Sequence, residues 1–288
     1  MMKKEHKFVA PLFIFLSGFV WSFTGLFSKL VPWGPFTLVG FRSVVATVML
    51  ALIRGTFRVR PNKAMWLGAA GSLLTSLLYM IAIRFTAPAN AIVFQYTAPV
   101  FVILYTFFVK KQKPLRSELV SAVFVMLGVC LCFASGLGSG RLAGDLVALL
   151  SGVSYAMVFL VARYSDNDPL DNVYLGMLLS CLFMAFVPFD ANFSLTPSHL
   201  LVGVCMGLGL GGGYLFFSLG MRRKISPVAA VIISNVEPVL NPVWVFLITR
   251  ENPGMLTILG AAVVLLSATL QPIYEAWKER RMGRTLPS

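Results

Sequence analysis

Strongly apolar stretches of about 20 residues recur along the whole of this 288-residue chain. A helix needs about 20 apolar residues to cross a hydrocarbon core about 30 Å thick, whereas a membrane β-strand needs only about 10 with strict alternation. Only 12% of the residues are charged, about half the share of a soluble domain. We therefore predict an all-α integral membrane protein with ten transmembrane helices, at residues 8–28, 35–53, 66–83, 87–109, 117–134, 142–162, 170–188, 199–219, 227–248 and 254–274.

Lysine and arginine lie mostly in every second connection between the predicted spans. With the N-terminus inside the cell, 19 of the 24 Lys and Arg residues fall on the inner side and 4 on the outer side, while Arg42 lies within a span. Since basic residues concentrate on the cytoplasmic side, this predicts a multi-pass protein of the cell (plasma or inner) membrane with both termini cytoplasmic. The basic residues of the predicted cytoplasmic connections account for the net charge of +13. We expect no nucleic-acid partner, because no basic helix is interleaved with stacking aromatics.

The second half of the sequence repeats the first. The matches are 17–21 with 151–155 at an offset of 134; Gly68, Ser72, Ser76 and Tyr79 with Gly203, Gly207, Gly211 and Tyr214 at 135; and Pro88, Ala91, Pro99 and Pro114 with Pro227, Ala230, Pro238 and Pro253 at 139. Each half holds five spans, an odd number, so the second copy must enter the membrane upside down. We predict a first repeat at 1–136, an inverted second repeat at 141–274 and a basic cytoplasmic tail at 275–288. Inverted repeats are typical of transporters with a site at the repeat interface.

Four segments carry a family resemblance. They are LSGFVWSFTGLFSKLV in the first span, FRSVVATVMLAL in the second, APANAIVFQYTAPVFVIL in the fourth and SPVAAVIISNVEPVLNPVWVFL in the ninth. They resemble the drug/metabolite transporter superfamily, and within it the EamA-like ten-helix exporters. The resemblance implies export of a small organic solute by alternating access. The family pattern places a Glu before the last span of each half; Glu251 keeps it, whereas Gln112 departs from it.

Glu237 is the sharpest candidate for a transport residue. It lies near the centre of the ninth span, with Ser234 and Asn241 at i−3 and i+4 on the same helix face. An acid at mid-bilayer is costly and should face a cavity or a partner, where Glu237 would carry a proton or bind an ammonium group. The alternative is structural: the Glu-Pro pair would complete broken backbone hydrogen bonds.

Aromatic and polar side chains form a second candidate group. Trp21 matches Tyr155 and Tyr79 matches Tyr214 in the repeat, and Gln95 and Tyr96 lie in the fourth span. They would line a cavity and offer ring faces to an apolar or cationic solute. The alternative is that these aromatics belong to interfacial belts or fill the core.

Prolines within the spans predict helix distortion. Pro99, Pro238 and Pro242 each remove a backbone donor and strain the preceding turn. In a membrane, the carbonyls that lose their partner must face protein or a water-lined cavity. We expect kinks around a central cavity that take part in gating; the alternative is a static kink that only shapes packing.

Other features carry less functional weight. The glycines at 203, 207 and 211 are spaced by four, which predicts close helix packing. Arg42 is expected to snorkel, or to pair with an acid or with carbonyls, in a structural role. The four cysteines lie in apolar spans without metal-site spacing, so we predict no metal and no cofactor.

We expect no enzymatic activity, since no catalytic constellation is present. The predicted function is a transmembrane transporter of a small organic solute (a metabolite, an amino acid or a drug-like compound), with efflux as its direction. One alternative is an organic-cation or multidrug exporter coupled to protons through Glu237. Another is a sugar-phosphate or nucleotide-sugar carrier, which would need Lys or Arg inside the cavity, where only Arg42 is a candidate. The expected partners are the solute and the lipid bilayer, with the chain acting as a monomer or homodimer.

Overall fold

The computed structural model describes the backbone of residues 2–86, 88–114, 116–136, 142–223, 225–234, 236–250, 254–256, 258–263 and 266–267. Helices make up the regular structure of these residues, and they contain no strand. The helices are α1 (Met2–Trp21), α2 (Thr24–Lys29), α3 (Pro35–Arg54), α4 (Lys63–Phe85), α5 (Pro88–Gln95), α6 (Ala98–Phe108), α7 (Arg116–Gly136), α8 (Leu142–Tyr164), α9 (Pro169–Ser180), a 3-10 segment (Cys181–Phe189), α10 (Pro197–Met221), α11 (Pro227–Ile233) and α12 (Val236–Thr249).

Seven helical segments of the described residues are long and apolar enough to cross a membrane. They lie at the first four predicted spans and at the sixth, seventh and eighth: Val9–Lys29, Pro35–Arg54, Lys63–Phe85, Ala91–Phe108, Leu142–Tyr164, Pro169–Phe189 and Pro197–Met221. The fifth predicted span coincides with α7 and the ninth with α11 and α12. The tenth reaches beyond the described residues. The all-α membrane class is therefore confirmed, while the count of ten stays a prediction.

Three predicted spans are interrupted in the middle. A turn at residues 22–23 separates α1 from α2, and turns near residues 96–97 and 234 separate α5 from α6 and α11 from α12. Pro99 is in the first turn of α6, where its missing N–H removes no helical hydrogen bond. The fourth and ninth spans are repeat equivalents, so the breaks are equivalent too. The predicted distortion of the fourth and ninth spans is thus a full break in each helix, and the break in the first span was not predicted.

The break in the ninth span also corrects the predicted shared face around Glu237. Ser234 ends α11, whereas Glu237 is in the first turn of α12. The two residues are therefore not on one continuous helix. The side chains of Pro238 and Pro242, on α12, lie outside the described residues.

The two repeats pack on one another through equivalent pairs of helices. Helix α4 packs on α8 and α9, and its equivalent α10 packs on α1 and α3, the equivalents of α8 and α9. Helix α3 also packs on its own equivalent: Gly40 lies against Met184 at one end, and Arg54 binds Asp171 at the other, at 2.7 Å. Equivalent helices thus run in opposite directions around a pseudo-two-fold axis. The second repeat is inverted relative to the first.

Backbone geometry repeats as well. Lys111 has a φ of 56° and Arg250 a φ of 58°, in the left-handed region that non-glycine residues rarely adopt. The two positions are 139 residues apart, the same offset as the prolines of the fourth and ninth spans. Each follows the last helix of such a span, where a left-handed residue terminates the helix.

Large apolar side chains cover much of the outer surface of the bundle. Leu52, Phe85, Leu182 and Phe189 are each more than half exposed. A soluble protein rarely exposes such a continuous apolar surface. These side chains instead suit contact with lipid tails.

Candidate functional site

A cavity lies at the centre of the bundle, between the repeats. Its volume is about 40 Å³, which is room for a few water molecules. The first repeat contributes Trp21, Thr24, Arg42, Thr75, Ser76, Tyr79 and Gln95, and the second contributes Tyr155, Leu210, Tyr214 and Glu237. Six of the nine sequence-predicted solute-binding residues are therefore brought together in its wall.

Glu237 is buried, with 5% of its surface exposed. The phenol of Tyr96 donates a hydrogen bond to the Glu237 carboxylate at 2.5 Å, and it also lies 3.0 Å from the carbonyl oxygen of Ser234. At the break in the ninth span, the carbonyl oxygen of Ser234 accepts a hydrogen bond from the backbone N–H of Glu237 at 3.1 Å. The carboxylate lies in the first turn of α12, where the positive end of the helix dipole favours a negative charge.

Tyr96 and Ser234 lie just behind the wall of the cavity. Tyr96 is fully buried, and the hydroxyl of Tyr155 lies 3.5 Å from that of Ser234. Gln95, which does line the cavity, accepts a hydrogen bond from Ser151 at 3.3 Å. Asn241 is also fully buried, beside Gly25 of α2, and does not line the cavity.

Aromatic rings form one wall of the cavity. Trp21 contacts Tyr155 edge to face at 6.2 Å between ring centroids, and Tyr214 at 4.9 Å. Trp21 and Tyr155 are repeat equivalents, so their contact places the pseudo-two-fold axis beside the cavity. Tyr79 and Tyr214, the other equivalent pair, both line it. All four rings are buried.

Arg42 is the main residue whose place sequence reasoning missed. The sequence predicts a structural role for it, yet Arg42 lines the cavity and only 3% of the residue is exposed. The sequence feature that indicates such a position is a charged residue inside an apolar span. Thr24, Thr75, Ser76 and Leu210 also line the cavity. Ser76 belongs to a pattern of small residues that predicted only packing.

The packing prediction for the glycines fits their surroundings. Gly203 lies against Phe41 and Trp33, Gly207 against Arg42 and Val45. A Cβ at Gly207 would come within 2.8 Å of the Arg42 carbonyl oxygen. The absence of a side chain there lets α10 approach α3 closely.

Hydrogen bonds between the repeats close one end of the bundle, named here the Asp171 end. Arg54 forms an ion pair with Asp171 at 2.7 Å, and the side-chain amides of Asn62 and Asn167 bond at 2.7 Å. Tyr164 donates to Gln112 at 3.1 Å.

The opposite end, named here the Asp190 end, has its own links between the repeats. The Gly34 N–H donates to Asp190 at 2.6 Å, and Thr86 donates to Asp145 at 2.6 Å. Burial acts to raise the pKa of Asp190, but hydrogen bonds from Thr37 and from two backbone N–H groups, together with the Arg84 charge, hold that pKa below its usual value. Both ends of the cavity are thus linked across the repeats.

The family profile of the EamA-like transporter family matches the chain twice, at residues 9–134 and 142–271. The chain belongs to this family. An uncharacterized transporter of Clostridium kluyveri is 24% identical over 230 residues, 73% of this chain and 72% of that protein. The uncharacterized transporter YyaM of Bacillus subtilis is 21% identical over 244 residues, 79% of each chain.

A solved crystal structure of another protein shares the fold of this EamA-family chain. It superimposes with a TM-score of 0.70 at 19% sequence identity, covering 92% of this chain and 97% of the other. Family membership and the membrane-spanning helices establish a multi-pass membrane transporter built from two repeats.

Proposed function

We propose that this transporter moves a small organic solute by alternating access, with the solute bound in the central cavity. The observation that carries the proposal is the position of the cavity: both repeats supply its wall, at the pseudo-two-fold axis. A rocking motion of one repeat against the other would open first one end and then the other around a fixed site.

The links at both ends support this mechanism. In the described residues, the Asp171 end and the Asp190 end are each joined by hydrogen bonds between the repeats. The present cavity holds only a few water molecules, so a metabolite requires its walls to separate. Breaking either set of links would allow that separation at one end only.

The proposed orientation places the Asp171 end in the cytoplasm of the cell, together with both termini. The connection between α3 and α4 lies at this end and carries four basic residues: Arg54, Arg58, Arg60 and Lys63. This agrees with the positive-inside rule. Net export of the solute is proposed from the resemblance to EamA-like exporters.

Proton coupling through Glu237 is a second candidate feature. The buried carboxylate accepts a hydrogen bond from Tyr96 and borders the cavity. A carboxyl group placed there would exchange a proton with a solute or with water entering from either end. Buried acids of this kind often mark proton relays in transporters.

Counterflow in proteoliposomes tests the proposed function. The purified protein would be reconstituted into liposomes that are preloaded with unlabelled amino acids or organic cations. Uptake would be measured with and without a pH gradient. We expect saturable uptake of at least one labelled solute, and loss of that uptake in Tyr214→Ala. Tyr105→Ala, a variant at a tyrosine distant from the cavity wall, serves as the control. A fast, non-saturating, ion-like current would contradict a carrier.

A further inference from the structure

Arg42 is a buried cation in the middle of the site. It lies on α3, only 3% of its surface is exposed, and its guanidinium borders the central cavity. Its Nε has no hydrogen-bond partner, and no ion pair joins Arg42 to any residue that the structure describes. Arginine keeps its charge at physiological pH. A charged group so deep in a membrane protein generally marks a substrate or ion pathway.

Glu237 is an acidic residue on the same cavity, and it comes from the other repeat. Its carboxylate accepts a hydrogen bond from Tyr96. The described wall thus holds one basic and one acidic side chain, on α3 and α12. A solute that binds both would connect the two repeats.

The chemistry of this wall selects among solute classes. A guanidinium binds a carboxylate through two parallel hydrogen bonds, and a carboxylate beside aromatic rings binds an ammonium group. An organic cation without an acid group would be repelled by Arg42. A polyanion would meet Glu237, and Arg42 is the only basic residue of the described wall.

We propose that Arg42 binds the carboxylate of a small zwitterionic solute whose ammonium group faces Glu237, and that Arg42 thereby determines specificity. This rests on the proposed function of the cavity. Trp21, Tyr155 and Tyr214 surround the apolar part of the solute. The Nε of Arg42 gains an acceptor when the solute binds, which reduces the cost of keeping the guanidinium buried.

Competition in counterflow tests the inference on wild-type protein. Labelled neutral α-amino acids are exchanged first. Inhibition is then compared between the amino acid that moves, the amine that remains after its carboxylate is removed, and the acid that remains after its amino group is removed. We expect both truncated compounds to compete about 30-fold or more weakly, because each leaves one buried charge without its partner.

Substitutions assign the effect to Arg42. Arg42→Gln should raise the KM of the amino acid by about 30-fold or more, and the amino acid should then compete no better than the amine. Arg42→Lys should retain part of the preference for the amino acid over the amine. Arg54→Gln, on the same helix but at the Asp171 end, should keep the wild-type ratio of amino acid to amine. Size-exclusion profiles and melting temperatures in detergent identify variants that do not fold, in which case the wild-type competition decides.

The outcomes separate this inference from the proposed function. An amine that competes as well as its amino acid, or an Arg42→Gln variant with unchanged preference, overturns the role of Arg42 while transport stands. Saturable exchange of organic cations or sugar phosphates, without any amino acid, also overturns it and leaves the carrier intact. If no solute is exchanged, both proposals fail.

Discussion

The phenol of Tyr96 donates a 2.5 Å hydrogen bond to the carboxylate of Glu237, and the two residues lie at the breaks of equivalent spans. Tyr96 follows α5 in the first repeat, and Glu237 begins α12 in the second. The contact therefore joins the interrupted helices of both repeats beside the cavity. Any movement of one repeat against the other changes this distance.

Replacing Tyr96 by Phe should slow transport. The change leaves the buried Glu237 carboxylate without the phenol donor, at a cost of about 1–3 kcal/mol. Counterflow rate and melting temperature measure the effect. Tyr164→Phe removes a tyrosine hydrogen bond at the Asp171 end and should have a much smaller effect. Equal rates for Tyr96→Phe and wild type would contradict a role for this contact.

Replacing Glu237 by Gln should abolish transport or uncouple it from the pH gradient while the protein still folds. The amide keeps the shape of the side chain but carries neither a negative charge nor an exchangeable acid proton. Counterflow at several pH values, with a melting curve in detergent, measures both properties. Asp166→Asn, at an exposed acid, is the control. Normal transport with unchanged pH dependence in Glu237→Gln would reject the assignment.

Adding one methyl group at Gly213 should disturb the cavity wall. A Cβ there would come within 2.7 Å of the Trp21 ring, and overpacking of this kind costs about 1–3 kcal/mol. Gly209→Ala, on the same helix, is the matched control because its Cβ would come no closer than 3.9 Å to Val20. We expect a lower melting temperature and slower counterflow only for Gly213→Ala. A tolerated Gly213→Ala would show that Trp21 moves freely.

Accessibility labelling should place Lys111 and Arg250 on opposite sides of the membrane. The two positions are repeat equivalents with the same left-handed backbone, and inversion of the repeats sends them to opposite faces. Single cysteines would be introduced at each site in a protein lacking the four native cysteines. An impermeant thiol reagent applied to sealed cells should modify Arg250→Cys but not Lys111→Cys. Modification of both would contradict inverted topology.

Asp190 should make stability depend on pH at the Asp190 end. Its folded-state pKa is held below its usual value, so the ionised form stabilises the fold. That contribution is complete above the unfolded pKa of about 3.9 and is lost as the pH falls through the lower folded pKa. Asp190→Asn should melt at a lower temperature than wild type at pH 7, and the difference should shrink below about pH 4. A difference that is constant with pH would contradict this assignment.

Most of the fold could be predicted from local properties of the chain. The length of the apolar runs indicated helices that cross a membrane, and the matched prolines and aromatics indicated two repeats. The breaks within the first, fourth and ninth spans were not predicted as breaks, although Pro99 marked one of them. A proline tells only that a helical hydrogen bond is missing. Whether the chain bends or stops depends on tertiary neighbours such as Tyr96, whose phenol donates a hydrogen bond to Glu237 in the first turn after the break.

The candidate site was predicted in part. Trp21, Tyr79, Tyr155 and Tyr214 stood out because the repeat pairs them, and all four line one cavity. Asn241 shared a predicted face with Glu237 but lies against Gly25. Arg42 was set aside, although it is a buried charge of that cavity.

The sequence by itself determined the membrane-spanning helices and the two repeats, because the hydrophobic effect acts on the length and order of the apolar stretches alone. Only the tertiary structure decided which side chains face the cavity. A helix in lipid is apolar on the side that faces the lipid tails and also where it packs on other helices, so its periodicity does not distinguish Arg42 facing a cavity from Arg42 facing the bilayer surface. That choice depends on how α3 packs between α9 and α10.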